Sequence, residues 1–456
     1  MTADPMAEVA RVEAFGYRQE LRRSLSLSDL LVYGLLLIVP TAPLASLGFV
    51  YNQSQGMVPL VYIVGLVAML FTAHSYMTMS RAFPVAGSVY AYAGRGIAPA
   101  AGFLSGWVML QDYMLVPTLI YVSCAISMSA LLPDIPKAAW VIGMLGINTA
   151  ISLRGIQTTA QISKLMLLVQ LIFLGAFVVL AILALRNGVA SAHLSLAPLW
   201  NPATVSPALV FGALPLAAVS FLGFDAISTL SEEAKGGAKA VGAATILSLL
   251  IVAALFVGQT YLACLFLLDH GPFAVGDATA NANLYVAELI GGEIFRFLSA
   301  GLLVLIAGLP AALVTQTATA RLIFSMARDG KLPRALALID RRHQTPQRAV
   351  LLMTAITLVL SLAMIDRLEL IFSLVSFGAL SGFLMVHLAV LVHHGVRERS
   401  VRWVAHLVSP AIGFAIIAYV LINLDALAQI VGSVWLAVGG SLLLVSKSRR
   451  PEMGHE

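Results

Sequence analysis

The chain has 456 residues, of which 60% are hydrophobic and only 11% are charged. So few polar side chains cannot cover the surface of a water-soluble globule of this length, which excludes an ordinary soluble protein. The composition therefore indicates an integral membrane protein whose first partner is the lipid bilayer.

Apolar runs close to the ~20 residues that cross a bilayer recur along the chain. They lie at roughly 30–50, 58–80, 100–132, 138–153, 157–185, 207–231, 241–268, 292–322, 349–364, 368–392, 403–423 and 427–446. The pattern predicts twelve transmembrane helices, numbered spans one to twelve. No connection between them is long enough for a separate soluble domain.

Basic residues are distributed unevenly among the connections, and short cytoplasmic loops retain Lys and Arg. If both termini are cytoplasmic, all but five of the 27 Lys and Arg residues fall inside. The five are Lys137, Arg186, Arg296 and Arg367 outside, and Lys164 within span five. The bias supports an even number of spans with cytoplasmic termini, and it explains the basic charge without a nucleic-acid partner.

Span one contains two prolines within four residues, Pro40 and Pro43. Because proline has no N–H, we expect the carbonyls of Leu36 and Val39 to lose their helical donors and to be free near mid-membrane. A single proline commonly produces a kink that neighbouring helices repair, and a kink is the alternative here. Two prolines this close favour an unwound segment near mid-membrane.

Span six is interrupted as well, because Gly223 and Asp225 lie inside the apolar run "PLAAVSFLGFDAISTLSEEAKG" at 215–236. Many transporters bind substrate between discontinuous helices that belong to two inverted repeats. Breaks in spans one and six imply five spans per repeat and two additional spans at the C-terminal end.

Four sequence pieces resemble the amino acid, polyamine and organocation transporters. They are "FPVAGSVYAYAGRGIAPAAGFLSGW" at 83–107, "FLGFDAISTLSEEAKG" at 221–236, "ARLIFSMARDGKLP" at 320–333 and the Thr345-Pro346 pair. The prolines of span one, "LQDYMLVP" at 110–117 and the span-six motif are most similar to the bacterial putrescine-importer branch of that family.

The resemblance implies an all-α integral membrane protein with a LeuT-like 5+5 inverted repeat, discontinuous helices 1 and 6, and two C-terminal helices. The expected parts are a cytoplasmic N-terminal segment at 1–29, the transport core at 30–393, helices 11 and 12 at 394–446, and a cytoplasmic tail at 447–456. The expected function is proton-coupled import of a polyamine such as putrescine across the bacterial inner membrane by alternating access. No cofactor is expected, the small partners are an amine and protons, and a homodimer is left open.

Asp112 and Asp225 lie deep inside spans three and six. An ionisable group at such depth costs about 2.5 to 3.5 kcal/mol on insertion scales, so it usually faces a cavity and has a partner. A structural carboxylate that is hydrogen-bonded to a neighbouring helix is the alternative. Two carboxylates at one cavity suit a diamine, and the resemblance implies substrate or proton handling at Asp225.

The span-one prolines also bear on the substrate, because free backbone N–H groups at a helix break hold a substrate carboxylate. Prolines remove such donors and favour an amine. Aromatic faces attract an amine as well, although buried aromatics more often only pack. The predicted substrate site comprises Pro40, Thr41, Ala42, Pro43, Asp112, Tyr113, Gly223, Phe224, Asp225, Ser376 and Phe377.

Lys164 stands about two turns into span five. In proton-coupled relatives, as the resemblance implies, a lysine of this span takes the place of a sodium ion between spans one and eight. A desolvated lysine can exchange a proton near neutral pH. The alternative is a side chain that extends back to the membrane surface.

Two further clusters of ionisable residues lie at span ends. The resemblance implies a cytoplasmic gate formed by Glu232 and Glu233, whereas a solvated helix end is the ordinary explanation. His393 and His394 fall in a basic connection, and the sequence offers no obvious additional ligands, so no metal site is predicted.

Three other functional classes are alternatives to a polyamine importer. An amino-acid permease or an amine exchanger is the alternative within the family. A membrane-embedded enzyme is disfavoured because the sequence contains no HExxH, no GxSxG and no nucleotide-binding loop. A receptor or channel is disfavoured by the paired breaks in spans one and six.

Overall fold

The computed structural model describes residues 25–83, 88–154, 160–230, 234–328, 333–340 and 345–448. Its regular structure is helical, with one isolated β-bridge between Leu25 and Ala234. The helices are α1 Leu27–Ile38, α2 Ala42–Ser54, α3 Val58–Ala82, α4 Ser88–Gly96, α5 Pro99–Leu131, α6 Lys137–Leu153, α7 Ala160–Arg186, α8 Pro207–Phe221, α9 Gly237–Leu265, α10 Asp277–Ala280, α11 Ala282–Gly301, α12 Leu309–Arg328, α13 Gln347–Ala363, α14 Leu368–Val390, α15 Ser409–Ile422 and α16 Ala426–Ser448. Short 3-10 or π-helical turns cover Val189–Ser191, Phe224–Leu230, Leu302–Gly308, Arg334–Ala337, Leu391–Arg397 and Val404–Val408.

The predicted all-α membrane class is confirmed. Among the described residues, eight helices are long and apolar enough to cross a membrane, and α1 with α2 forms one further, bent span. Three shorter apolar helices, α6, α8 and α13, coincide with predicted spans four, six and nine. The total of twelve spans and the inverted-repeat relation stay predictions.

The break in span one is located between Ile38 and Ala42, and the two half-helices differ in direction by 45°. Helix α1 begins at a capping box, in which Ser26 and Asp29 satisfy each other's backbone N–H groups. It ends where Val39 adopts φ 57°, a conformation that a β-branched residue rarely takes. Pro40 then prevents the helix from continuing.

One expectation about this break is wrong. The carbonyl of Val39 is not free, since it accepts a 2.9 Å hydrogen bond from the N–H of Ala42. The chain turns tightly at Pro40, which brings the next available N–H back to Val39. The neighbouring carbonyl of Pro40 accepts a 2.9 Å hydrogen bond from Nε2 of Gln259 in α9.

The break in span six begins after Phe221, where α8 ends. Leu222 is extended, Gly223 has φ 107°, and a 3-10 turn follows from Phe224 to Leu230. A Cβ atom on Gly223 would lie 2.8 Å from the carbonyl oxygen of Leu37. The end of α1 and the span-six break are therefore in direct backbone contact, which only glycine permits.

The helices pack as two groups. Helices α1, α2, α3, α8 and α9 contact one another and contain both breaks. The 33-residue α5 is the centre of the second group and packs against α6, α12, α13 and α14. The space between the groups, beside the two breaks, is where a ligand would reach the middle of the bundle.

Candidate substrate-binding site

A cavity of about 180 Å³ lies where the two breaks meet α5 and α12. Leu37 and Thr41 line it from span one, Leu222 from span six, and Ile120 from α5. Pockets for drug-sized ligands are usually larger than about 300 Å³. The cavity therefore suits a small ligand.

The wall of this cavity is mostly apolar. Among the lining residues that the structure describes, the polar side chains are Thr41, Ser123, Ser220 and Thr315, together with the thiol of Cys124, and none is charged. Ser220 is itself held by Tyr62, whose hydroxyl lies 2.9 Å from the Ser220 hydroxyl. A charged ligand would find its counterion next to this cavity and not in its wall.

The two predicted carboxylates lie beside the cavity. Asp112 is one turn from the cavity residue Val116 on α5, and Asp225 is three residues beyond Leu222, in both cases toward the predicted cytoplasmic end. Asp112 is 5% exposed and Asp225 is 7% exposed. The two carboxyl groups are close enough for each charge to act on the other.

The carboxyl group of Asp225 is buried, and the break on which it stands offsets part of the cost of that burial. The backbone N–H groups of Gly223, Asp225 and Ala226 are directed at it. These are the donors that a discontinuous helix would otherwise offer to an anionic ligand. The protein's own side chain therefore occupies the anion position of span six.

The carboxylate of Asp112 has a different environment. Its Cβ packs closely on α14, where a Cβ on Gly378 would lie only 3.0 Å away. Its Oδ1 is buried and has no hydrogen-bond partner among the described residues. A buried acceptor without a donor costs about 1 to 3 kcal/mol, so this atom is ready to accept a proton or an ammonium group.

Three tyrosines surround the pair. The charge of Asp225 acts on Tyr76, Tyr92 and Tyr113, and that of Asp112 acts on Tyr113. The Tyr76 and Tyr92 rings are 6.1 Å apart, and both hydroxyls are buried. We call Asp112, Asp225, Tyr76, Tyr92 and Tyr113 the carboxylate cluster. It combines negative charge with aromatic surface, as amine sites do.

The remaining predicted site residues are distributed over four environments. Thr41 and Ala42 line the cavity, and Gly223 joins the two breaks. Pro40 and Pro43 are buried beside the cavity without lining it.

Phe224, Ser376 and Phe377 contact other helices instead. Phe224 is fully buried, with its ring 5.9 Å from that of Tyr76. The hydroxyl of Ser376 donates a 2.6 Å hydrogen bond to the carbonyl of Pro215 and so joins α14 to α8. Phe377 packs against Gly432 of α16.

Several residues of this region carry no clear sequence signal. Phe372 lines the cavity and packs on Phe49 at a ring distance of 5.5 Å, but it lies in an apolar run like many other phenylalanines. Tyr76 and Tyr92 approach Asp225 only through the packing of α3 and α4 on the span-six turn. The sequence shows Gln259 as a polar residue inside span seven, but it does not indicate that Gln259 bonds to the carbonyl of Pro40.

Lys164 lies away from both the cavity and the carboxylate cluster. Its side chain is 56% exposed, and its Nζ is 3.8 Å from Oδ1 of Asp29 at the start of α1. The position between spans five and one is instead filled by Gln170, whose Oε1 is 3.5 Å from the hydroxyl of Thr41. The predicted gate residues Glu232 and Glu233 lie outside the described residues.

A larger cavity, of about 320 Å³, lies at the predicted external end. Asp277, Asp366, Glu369 and Asp425 are among its lining residues. Asp277 and Asp366 are both bound by the ammonium group of Lys137, at 2.7 and 2.9 Å. We place the candidate site at the smaller cavity because that cavity adjoins both helix breaks and the buried carboxylates.

Comparison with known proteins yields a consistent set of relatives. The family model described as amino acid permease matches residues 29–439. The low-affinity putrescine importer PlaP of Escherichia coli K12 is 31% identical over 430 residues, which cover 92% of this chain and 93% of that protein. The branched-chain amino acid permease BcaP of Bacillus subtilis is 26% identical over 462 residues, with 94% of each chain covered. The methylthioribose transporter of Bacillus subtilis is 24% identical over 453 residues, with 92% of each covered.

Proposed function

Because this chain belongs to the amino acid permease family and is a membrane transporter, we propose that it imports a polyamine such as putrescine across the bacterial inner membrane. Transport is driven by protons and proceeds by alternating access, with both termini in the cytoplasm. The substrate binds in the cavity between the two helix breaks and directs its ammonium groups toward the carboxylate cluster.

The observation that carries the proposal is the carboxylate of Asp225 on the N–H groups of the span-six break. A substrate carboxylate would need those donors, and they are already used by the protein. A substrate ammonium group would instead find a buried carboxyl group that these backbone donors hold in place. The break therefore selects for positive charge.

Span one supports the same selection. At the start of α2, the Ala42 N–H is bonded to Val39, the Leu44 N–H is bonded to Thr41, and Pro43 has no N–H. A helix N-terminus normally offers several free donors to an anion, but little donor capacity remains at this one. A zwitterionic amino acid would lack a partner for its carboxylate at both breaks.

The pairing of Asp112 with Asp225 supports a diamine and a role for protons. Two neighbouring carboxylates inside a membrane are too costly to remain charged together without a cation. We expect the empty site to hold a proton on Asp112, whose Oδ1 lacks a donor. When a diamine binds, Asp225 takes one ammonium group and Oδ1 of the protonated Asp112 accepts a hydrogen bond from the other, so that substrate and proton occupy the site together.

The environment of Lys164 is less suited to carrying the coupling proton. Its ammonium group is more than half exposed and pairs with Asp29 at the surface. We therefore assign proton coupling to the carboxylate cluster, and to Lys164 a surface contact between α7 and α1.

An amino-acid permease is the second candidate, because one observation favours it. The described part of the cavity wall is mostly apolar and carries no charged residue, which also suits a branched aliphatic side chain. The carboxylate of such a substrate would have to displace the protein groups that already accept hydrogen bonds from the backbone N–H groups at both breaks.

Uptake by the purified protein in proteoliposomes tests the proposal. Radiolabelled putrescine should accumulate when the interior is alkaline, equally well with sodium replaced by choline, and unlabelled diamines should compete. Strong accumulation of zwitterionic amino acids that putrescine does not inhibit would overturn the proposal in favour of the permease.

A further inference from the structure

His393 and His394, at the predicted cytoplasmic end of span ten, form a compact cluster with Glu398. The turn Leu391–Arg397 is π-helical, and the N–H of Glu398 donates to the carbonyl of His393 over five residues, at 3.0 Å. This wide turn carries Glu398 back to the side chains of His393 and His394. Local π-helical segments of this kind frequently occur at functional sites.

The three side chains converge on a small volume. Nδ1 of His394 is 2.5 Å from Oε2 of Glu398, and Nε2 of His393 is 3.4 Å from Oε1 of the same carboxylate. One ligand atom from each residue can be chosen so that all three lie within 4.8 Å of one another. Ligand atoms of a tetrahedral zinc ion lie about 3.3 Å apart, given bonds of about 2.0 to 2.1 Å, so small side-chain rotations suffice.

We propose that His393, His394 and Glu398 bind a divalent transition metal, and Zn²⁺ best. Two imidazoles and one carboxylate are a known zinc ligand set that leaves a fourth position for water. Oxygen-rich sites suit Ca²⁺ or Mg²⁺, whereas imidazole nitrogen favours zinc and its neighbours in the first transition row.

The surroundings favour an ordered site. The His394 ring stacks on that of His406 at 4.2 Å, and the His393 ring packs on Phe83 at 4.8 Å. Nε2 of His394 is buried and has no hydrogen-bond partner among the described residues. Both imidazoles are thus held in position by aromatic contacts and not by a complete set of hydrogen bonds.

The nearby basic residues leave the carboxylate available. The guanidinium group of Arg397 donates to the carbonyls of Arg95 and Ile97. Within the described part of the chain, the ion-pair partners of Glu398 are the two histidines. The side chain of Glu398 is 50% exposed, which gives a metal ion a path from solvent.

Zinc titration of the purified full-length protein tests the proposal independently of transport. The affinity tag is removed, the protein is treated with EDTA and desalted, and Zn²⁺ is added in competition with a chromophoric chelator. We expect one tight equivalent per chain and a loss of affinity of at least about tenfold in Glu398→Gln and His394→Ala. The exposed His193, whose Nδ1 lies 3.1 Å from the Ser191 carbonyl, provides the control His193→Ala, which should bind like the wild type.

A second measurement uses Co²⁺ in place of Zn²⁺. Intense visible absorption typical of four-coordinate cobalt should appear in the wild type and be absent from Glu398→Gln. Glu398→Gln preserves side-chain volume, so it remains informative if an alanine variant fails to fold. The proposal would be overturned if the wild type and Glu398→Gln bound zinc with equal affinity. It would also be overturned if the wild type bound no equivalent of zinc more tightly than Glu398→Gln and His394→Ala do.

Discussion

The side-chain amide of Gln259 in span seven donates a 2.9 Å hydrogen bond to the backbone carbonyl of Pro40. Both residues are buried, so water cannot reach the Pro40 carbonyl. The Gln259 amide takes the place of the helical N–H donor that this carbonyl lacks at the break. It connects span seven to the break in span one and fixes the geometry of that break.

Replacing Gln259 by leucine should therefore destabilise the protein. The Pro40 carbonyl would be left buried without a donor, which costs about 1 to 3 kcal/mol. Thermal denaturation in detergent should show a lower melting temperature for Gln259→Leu, with a smaller change for Gln53→Leu, where the side chain is exposed. Equal melting temperatures for the two variants would mean that this bond contributes nothing measurable.

Gly223 should not tolerate alanine. Its φ of 107° is unfavourable for any side chain, and a Cβ would lie 2.8 Å from the Leu37 carbonyl oxygen. We expect Gly223→Ala to lose at least about 1 to 3 kcal/mol of stability from backbone strain alone. The matched control is Gly175→Ala on the exposed part of α7, where a Cβ meets nothing within 4 Å and alanine favours the helix. A normal melting temperature for Gly223→Ala would contradict the described contact between the breaks.

Two phenylalanines five residues apart should behave differently. Phe372 lines the cavity, whereas Phe377 packs on Gly432 of α16. If Phe372 contributes a cation–π contact, Phe372→Ala should raise the KM for putrescine by roughly threefold to thirtyfold. Phe377→Ala should lower stability and leave KM close to the wild-type value. Kinetics of uptake by reconstituted protein distinguish the two, and the reverse pattern would count against the cavity as the site.

Lys164→Ala should leave proton coupling intact. The ion pair with Asp29 joins two side chains that are 56% and 41% exposed, and such surface pairs contribute about 0 to 1 kcal/mol. We expect putrescine uptake to depend on the pH gradient as in the wild type, with a rate within about twofold. Uptake by this variant that no longer responded to the gradient would return the proton-carrying role to Lys164.

The sequence predicted the membrane class, the two breaks and the two buried acids, because each has a local cause. A proline pair, a glycine beside an aspartate and long apolar runs act within a few residues of chain. The carbonyl of Val39 was mispredicted, since its new donor depends on how tightly the chain turns at Pro40.

Contacts between distant segments could not be predicted. Phe372, Tyr76 and Tyr92 reach the site through helix packing, and no local pattern distinguishes them from other buried aromatics. For Lys164, two turns inside an apolar run, the sequence leaves both an interior and a surface position open, and its contact with Asp29 at the start of α1 depends on helix packing. Glu398 converges on His393 and His394 through a π-helical turn that the sequence pattern does not indicate.

Equilibrium binding of radiolabelled putrescine to the purified protein tests the central claim most directly, that buried carboxylates select an amine. Diamines should displace the label and leucine should not. Asp225→Asn should weaken binding by at least about tenfold, because a buried charge loses its partner. Asp112→Asn should weaken a diamine more than a monoamine of equal length, and the exposed Asp134→Asn should change nothing. Displacement of the label by leucine, or unchanged affinity in Asp225→Asn, would contradict the account.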